Sequence, residues 1–451
     1  MKRTILPLLG GLLCIHSSGS FAQQACTAGE PDLNFGPTHT GYVQISPVLR
    51  NYVNTISGES EVLDASGASY SVSSAAADSV GYGVADIVKV KRGGMRDWLF
   101  GGFGSVVPPP PATETFDAAL AADSAGNLVL ASIAADQGSI NLYRYSATGV
   151  LDTTFGTTGI ATITATLNGP WAIKAASDGS IFVAAGAVSA SASQWQPVVF
   201  KLTPSGTLDT SFGTGGFSYF YSGAFGPTGK ATDLSFQSDG SILVVGRVGD
   251  NSTYNQFFVA RLLPNGALDT SFGANSGMTV VSFGNVVADG RKMAVQSDGK
   301  IVLVGGIGNN PNLNFSITDT GVIRLTANGL PDPTFGGTGA LHLTGFHGWQ
   351  VALEDNDKIL VAATQPNAQQ TASNALVVRL TTSGQLDPTF GPSHNGIATL
   401  AVPGAVNAGT SFITYEPGDG IHVLVSGTDA TGTISTEYLV RLDAGSGKGC
   451  H

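Results

Sequence analysis

The sequence is short of charge. Asp, Glu, Lys and Arg make up 12 % of its 451 residues, which excludes the long, charge-laced helices of coiled coils and most helical repeats. Basic residues are the scarcer sign, 21 against 32 acidic, for a formal net charge of −11. With no basic run there is no electrostatic footprint for nucleic acid, and anionic lipid head groups would repel the surface. Beyond the N-terminal segment no apolar stretch has the unbroken length of a membrane helix, so no membrane insertion is expected. Cysteine is nearly absent, with three residues in all. A hydrophobic share of 42 % excludes a disordered chain, and 61 glycines suit a turn-rich β protein.

What is present begins with a targeting pattern. Lys2 and Arg3 precede an apolar run from Ile5 to Ile15, and Ser20-Phe21-Ala22 offers small residues at both positions a signal peptidase reads. The expectation is a signal peptide over residues 1–22 and an exported domain over 23–451, periplasmic, secreted or at the cell surface. Leu13 ahead of Cys14 does not suit a lipoprotein. Loss of Lys2 and Arg3 leaves 19 basic against 32 acidic side chains, a net charge of about −13. Of the cysteines only Cys26 and Cys450 then remain, and an oxidising compartment favours their pairing.

A signature recurs along the chain: Pro31 opens PDLNFG, Leu151 LDTTFG, Leu208 and Leu268 LDTSFG, Pro331 PDPTFG and Leu386 LDPTFG. Its Asp residues, at 32, 152, 209, 269, 332 and 387, lie 55 to 63 apart except for a first gap of 120. That gap is two units, and a degenerate copy, RDWLFG with Asp97, Phe100 and Gly101, stands near its middle. Polar Asp-Gly turns accompany the signature, as at Asp178-Gly179, Asp239-Gly240, Asp298-Gly299 and Asp419-Gly420, each followed by an apolar run such as SIFVAAG or KIVLVGG. Asp-Gly between β-branched runs marks a hairpin, because Gly accepts positive φ without a steric cost. A basic residue sits eight positions before each internal signature Asp: Lys89, Arg144, Lys201, Arg261, Arg324 and Arg379. Each gives that Asp an ion-pair partner.

Each unit reads as four short strands without helical periodicity. Seven such units predict an all-β, seven-bladed β-propeller with four antiparallel strands per blade. The last unit ends after its third strand at Arg441-Leu442, and its missing turn and fourth strand are found at the N-terminus, as PDLNFG and YVQIS. The N-terminal strand is therefore expected to complete the C-terminal blade, removing an open sheet edge. Cys26 and Cys450 fall at the same junction.

LDTSFG, SDGKIVLVGG and the preceding VVRL resemble the bacterial delta-60 repeat family. The resemblance implies propeller blades in exported proteins and no particular activity, so it carries over no catalytic residue.

The repeated Asp and Phe read as structural, Asp holding the turn through backbone N–H groups and Phe packing between blades. One carboxylate per blade cannot supply the six to eight oxygens calcium takes. His39 and His394 share a repeat position in units that closure makes neighbours, but no Cys or Glu recurs beside them, so no metal is expected. His342 and His347 have no support either. No catalytic set and no cofactor motif emerge: GxSxG is missing from a strand-turn-helix setting, and VGGIGNN lacks the helix a phosphate site needs.

Binding residues are expected on the variable loops around the central channel. Trp171, Trp349, Lys230 and Arg291 fall just before first strands; Trp195, Tyr254 and several Asn residues, including Asn251 and Asn255, fall between second and third strands. Aromatic rings with amides suit a glycan or peptide ligand. The leading expectation is a monomeric, non-enzymatic binding or interaction module for a glycan or an extracellular protein. The alternatives are a secreted polysaccharide hydrolase or lyase working at the channel mouth, and a structural cell-surface component. Closing the Cys26–Cys450 loop should stabilise the protein by roughly 4–5 kcal/mol in the chain-entropy model. Peptide mapping of exported protein without reductant should recover the two cysteines linked; two free thiols would remove the bond.

Overall fold

The structure, a computed structural model, describes residues 28–49, 61–64, 66–75, 84–109, 118–134, 136, 138–188, 194–220, 228–249, 255–284, 287–308, 319–367, 372–430 and 434–445. Its strands follow the repeat. After β1 (Tyr42–Leu49) come β2 (Glu61–Leu63), β3 (Ser69–Ala75), β4 (Val84–Val90) and β5 (Ser105–Val106), then β6 (Ala118–Ala122), β7 (Leu128–Ile133), β8 (Ser139–Tyr145) and β9 (Ile160–Thr164). The next sets are β10 (Leu167–Ala175), β11 (Ile181–Val188), β12 (Trp195–Leu202) and β13 (Phe217–Tyr219), and β14 (Thr228–Phe236), β15 (Ile242–Gly249), β16 (Asn255–Leu262) and β17 (Met278–Val281). They are followed by β18 (Val287–Val295), β19 (Ile301–Gly308), β20 (Asp319–Leu325) and β21 (Ala340–Leu343), and by β22 (His347–Leu353), β23 (Ile359–Pro366), β24 (Ser373–Leu380) and β25 (Ile397–Leu400). The last are β26 (Asn407–Glu416), β27 (Gly420–Thr428) and β28 (Ile434–Leu442). No helix among the described residues is long and apolar enough to cross a membrane.

Five sheets contain four antiparallel strands in chain order: β2–β5, β6–β9, β10–β13, β14–β17 and β18–β21. The rest form one eight-stranded sheet ordered β1-β28-β27-β26-β24-β23-β22, with β25 on β24. Seven separate sheets were expected, and the count is six. The cause is a single parallel pair, Ser373 with Asn407, which joins β24 to β26 and so merges two four-stranded sets. In this sheet β1 runs antiparallel to β28, from Tyr42 opposite Val440 to Leu49 opposite Ile434.

The first strand of each set lies innermost: β10 touches β6 and β14, β14 touches β18, β18 touches β22, and β22 touches β26. Apolar side chains from adjoining sets interleave between the sheets. Ile140 and Leu142 pack with Ile173 and Val183, and Phe182 and Val199 with Val244 and Phe258. Val43 and Ile45 of β1 pack with Val88 and Val90 of β4, so the first strand is tied to the sheet that follows it as well as to β28. Burial on both faces explains the near-continuous apolar runs of the middle strands, such as Ile181–Val188 and Ile301–Gly308, since each face finds a neighbouring sheet.

The signature turn is the joint of each unit. In LDTTFG the Asp152 carboxylate accepts the Thr154 N–H at 2.9 Å and takes an ion pair from Arg144 at 2.6 Å. The guanidinium lies over the Phe155 ring, 4.7 Å from its centroid, and its Nη1 donates to the Pro204 carbonyl of the next unit at 2.5 Å. The same arrangement recurs with Arg324, Asp332 and Phe335, with Arg379, Asp387 and Phe390, and with Arg441, Asp32 and Phe35 across the two chain ends. Every signature Phe, at 35, 100, 155, 212, 272, 335 and 390, is at most 1 % exposed. The following Gly sends its N–H to the next unit: Gly36 to Gly93, Gly101 to Thr148, Gly156 to Ser205, Gly213 to Asn265, Gly273 to Asn328, Gly336 to Ser383 and Gly391 to Ala28. Gly391 needs to be glycine, because its φ is +79° and a Cβ would stand 1.9 Å from the Ile397 carbonyl oxygen.

These joints differ in burial, which separates their energies. The Asp332 and Arg324 side chains are 4 % and 5 % exposed, whereas Asp152 is 30 % exposed. Asp332→Ala leaves a buried guanidinium without its carboxylate and should cost about 3–5 kcal/mol. Asp152→Ala loses the same turn bond and a solvated pair, for about 1 kcal/mol. Urea unfolding of the two variants should separate them clearly; equal losses would contradict the joint described here.

Candidate functional site

The inner strands carry a repeated irregularity. Their pairing with the second strands slips between Asn168 and Ala172, Ala231 and Asp233, Gly290 and Lys292, Gly348 and Gln350, and Thr410 and Phe412. Each slip is a bulge, which leaves residues unpaired and re-aims their side chains. The bulged residues at equivalent positions are Trp171, Thr232, Arg291, Trp349 and Ser411. Trp171, Lys230, Arg291 and Trp349 were expected on loops ahead of the first strands; they lie inside β10, β14, β18 and β22. The glycines and the bulge break the alternation of apolar residues, so the strands begin earlier than the pattern suggests.

Two positions before the bulged residue the repeat turns chemical. Gly169 and Gly409 occupy this position in β10 and β26, but Lys230, Asp289 and His347 occupy it in the consecutive strands β14, β18 and β22. Lys230 faces Arg247 of β15 in the register. Asp289 is 3 % exposed; its Oδ2 lies 2.6 Å from Arg291 Nη2 and its Oδ1 3.8 Å from Arg247 Nε. Burial alone would raise the carboxyl pKa, but Arg291, Arg247 and Lys230 hold it well below the usual carboxylate range.

The tryptophans are engaged by the same cations. Lys230 Nζ stands 3.3 Å from the ring centroid of Trp171, and the Arg291 guanidinium 4.9 Å from that of Trp349. The Trp349 indole N–H donates to Thr364 Oγ1 at 3.2 Å, and that of Trp171 to the Asn168 carbonyl at 2.9 Å. His347 packs against Trp349 with 3.9 Å between ring centroids. Burial, and next the charge of Arg291, push the His347 pKa down to about 3, against the opposing pull of Asp289. Below these groups Lys292 is 3.8 Å from Asp233 and donates to the Trp171 carbonyl at 3.3 Å.

Three buried polar atoms here have no hydrogen-bond partner among the described residues: Asp289 Oδ1, Arg291 Nε and His347 Nε2. The arrangement can hold a polar group by charge and hydrogen bonds. Stacking is restricted, because Trp171 is only 9 % exposed and cations already lie over both indoles.

Of the residues expected to bind, four meet in this cluster. Trp195 stands apart at the start of β12, opposite Val188. Tyr254 and Asn251 lie outside the described residues, as do Cys26 and Cys450; Asn255 opens β16. His39 and His394 are exposed turn residues in the left-handed region, with φ of 53° and 51°. Asp289 and Arg247 were missed, and His347 was set aside. A signal existed: Lys230, Asp289 and His347 each stand nine residues before the first-hairpin turn, at Asp239, Asp298 and Asn356.

The packed four-stranded sheets and the repeated joint define the protein as a β-propeller. Four segments, residues 176–212, 237–272, 296–335 and 355–390, match a family model described as a domain of unknown function (DUF5122) beta-propeller, a family of the delta-60 repeat type. Each match runs from the hairpin turn to the signature Phe, and of the clustered residues only Arg247 falls within one. The polysaccharide lyase Uly1 has a similar structure, with a TM-score of 0.50, 11 % identity and coverage of 87 % of this chain and 92 % of that one. An α-L-arabinofuranosidase of Fusarium graminearum gives a TM-score of 0.42 at 10 % identity over 72 % of this chain and 92 % of that one. The β-propeller domain of the trilobed protease from Pyrococcus furiosus gives 0.41 at 7 % identity, over 83 % and 91 %. No curated protein matches the sequence.

A buried neutral imidazole makes stability depend on pH. His347 takes a proton near pH 6.5 when unfolded but only near 3 when folded, so its contribution is complete above pH 6.5 and is lost as pH falls toward 3. Between pH 7 and pH 4 the native protein should lose roughly 2–3 kcal/mol more than a His347→Gln variant. Equal losses in urea unfolding at the two pH values would show that the ring is not held neutral.

Proposed function

We propose that the chain is an exported array of delta-60 repeats closed into a ring of seven blades, acting as a binding module. The eight-stranded sheet then counts as two blades touching at Ser373 and Asn407, with β1 as the fourth strand of β26–β28. The run of glycine bonds from Gly36→Gly93 to Gly391→Ala28, which returns to its start, supports this count. The same closure favours the Cys26–Cys450 disulfide: Pro31 pairs with Leu442, and the Gly29 N–H donates to the Asp443 carbonyl at 2.7 Å.

The binding reading rests on one observation. A polar cluster, largely buried, with unpartnered atoms occupies an inner-strand position where β10 and β26 carry only glycine. Burying charges costs several kcal/mol per ion before pairing returns it, and nothing in the repeat demands that cost. The ligand in this reading is a glycan or an extracellular protein segment, and the protein works as a monomer in the periplasm or outside the cell.

The second reading, a secreted polysaccharide hydrolase or lyase, draws on the neutral His347 beside cations, since its free Nε2 is a proton acceptor. An imidazole with a pKa of about 3 is a weak base at neutral pH, so binding ranks first. Arrays of glycans and peptides probed with wild type and with the Trp171→Ala/Trp349→Ala double variant test the site. The expected result is retention of a ligand class by wild type and at least tenfold weaker retention by the variant. Equal retention would place binding elsewhere, and shortening of a bound polysaccharide chain would favour the enzyme.

A further inference from the structure

The charge of the cluster runs against that of the whole molecule. Among the described residues Lys230, Arg247 and Arg291 surround one carboxylate, Asp289, and His347 is neutral at working pH. Arg247 and Arg291 by themselves outnumber that carboxylate by one positive charge, inside a chain whose net charge is −11. Lys292 and Asp233, just below, balance each other. A recessed, low-dielectric wall focuses such a field and strengthens it relative to a surface pair.

The donors match the sign of the charge. Arg291 uses Nη2 on Asp289 and keeps a buried Nε without a partner. Arg247 approaches the same carboxylate only to 3.8 Å, beyond hydrogen-bond reach. His347, 8 % exposed, is neutral and adds no charge beside them. A planar guanidinium of this kind suits a carboxylate or sulfate group.

Resting on the binding reading above, we infer that the ligand is an acidic saccharide, whose carboxylate or sulfate is received by Arg291 and Arg247 with Lys230 behind them. An acidic peptide would be expected to add to a free strand edge. Here the inner edges are broken by the bulges at Thr232, Arg291 and Trp349, and Thr232 Oγ1 already donates to the Gly290 carbonyl at 2.9 Å. The cluster therefore presents side chains, not a strand edge.

Titration calorimetry on the full exported chain tests this with four probes of matched length: an oligogalacturonate, a sulfated galactan oligosaccharide, a neutral galacto-oligosaccharide and an oligoglutamate peptide. At least one acidic saccharide should bind ten or more times tighter than the neutral one, with an affinity that falls as salt is raised. The first two probes separate carboxylate from sulfate recognition. Arg247→Gln and Arg291→Gln should each weaken that binding at least tenfold while leaving the melting temperature of the binding-competent protein measurable. If Arg291→Gln does not fold, the more exposed Arg247 decides. Equal affinity for the neutral sugar would overturn the acidic assignment while leaving the binding site standing. Unchanged binding in the folded variants, tighter binding of the peptide, or no binding of either acidic sugar would overturn it as well.

Discussion

The rest of the structure depends on an arginine held between a carboxylate and a phenyl ring. In most units the guanidinium pairs with the signature Asp, lies over the signature Phe at 4.6–4.8 Å, and in several also reaches a carbonyl of the following unit. One side chain therefore fixes the exit of its own third strand and the position of the next sheet. The Phe beneath it seals the apolar seam between sheets, and the Gly after it adds a main-chain bond across the same seam. Lys89 and Lys201 stand in for Arg in two units, and Lys89 is the weakest of the set, 4.0 Å from Asp97. That unit also has the degenerate signature.

Because the joints lie at the turn side of each sheet, the inner strands are left with little structural duty at their opposite ends. Glycines there, such as Gly290, whose Cβ would stand 2.4 Å from the Gly246 carbonyl oxygen of β15, let an inner strand approach the second strand of the preceding set closely. The bulges use that closeness to turn one residue out of the ladder in β14, β18, β22 and β26 and three in β10. Where the neighbouring position is Lys, Asp or His, a charged cluster forms at no cost to the joints. Scaffold and site thus occupy different ends of the same strands, and they can vary separately. The family match follows this division, covering the hairpin turns and signatures and leaving out the inner-strand residues Lys230, Asp289, Arg291 and His347.

The cluster also changes the meaning of its tryptophans. As isolated residues, Trp171 and Trp349 suggest stacking platforms for a sugar ring. In place, each indole is covered by a cation of the protein itself, and its N–H is already bonded. The rings then serve to position Lys230 and Arg291, and the recognition chemistry passes to the charges.

Repeat length, the four-strand unit, the ion pairs between residues eight apart and the burial of the signature Phe were all legible in the sequence, because each is a local relation that every unit repeats. The degenerate copy at Asp97 could be located for the same reason. Three things required the tertiary structure. The one-residue contact between Ser373 and Asn407 is made by strands of different units, and no pattern within a unit encodes it. The bulges hide the starts of the inner strands, since an unpaired residue breaks the alternation by which strands are read. The meeting of Lys230, Arg247, Asp289, Arg291 and His347 is made by residues up to 117 positions apart; only the packing of three successive sheets brings their side chains into one field.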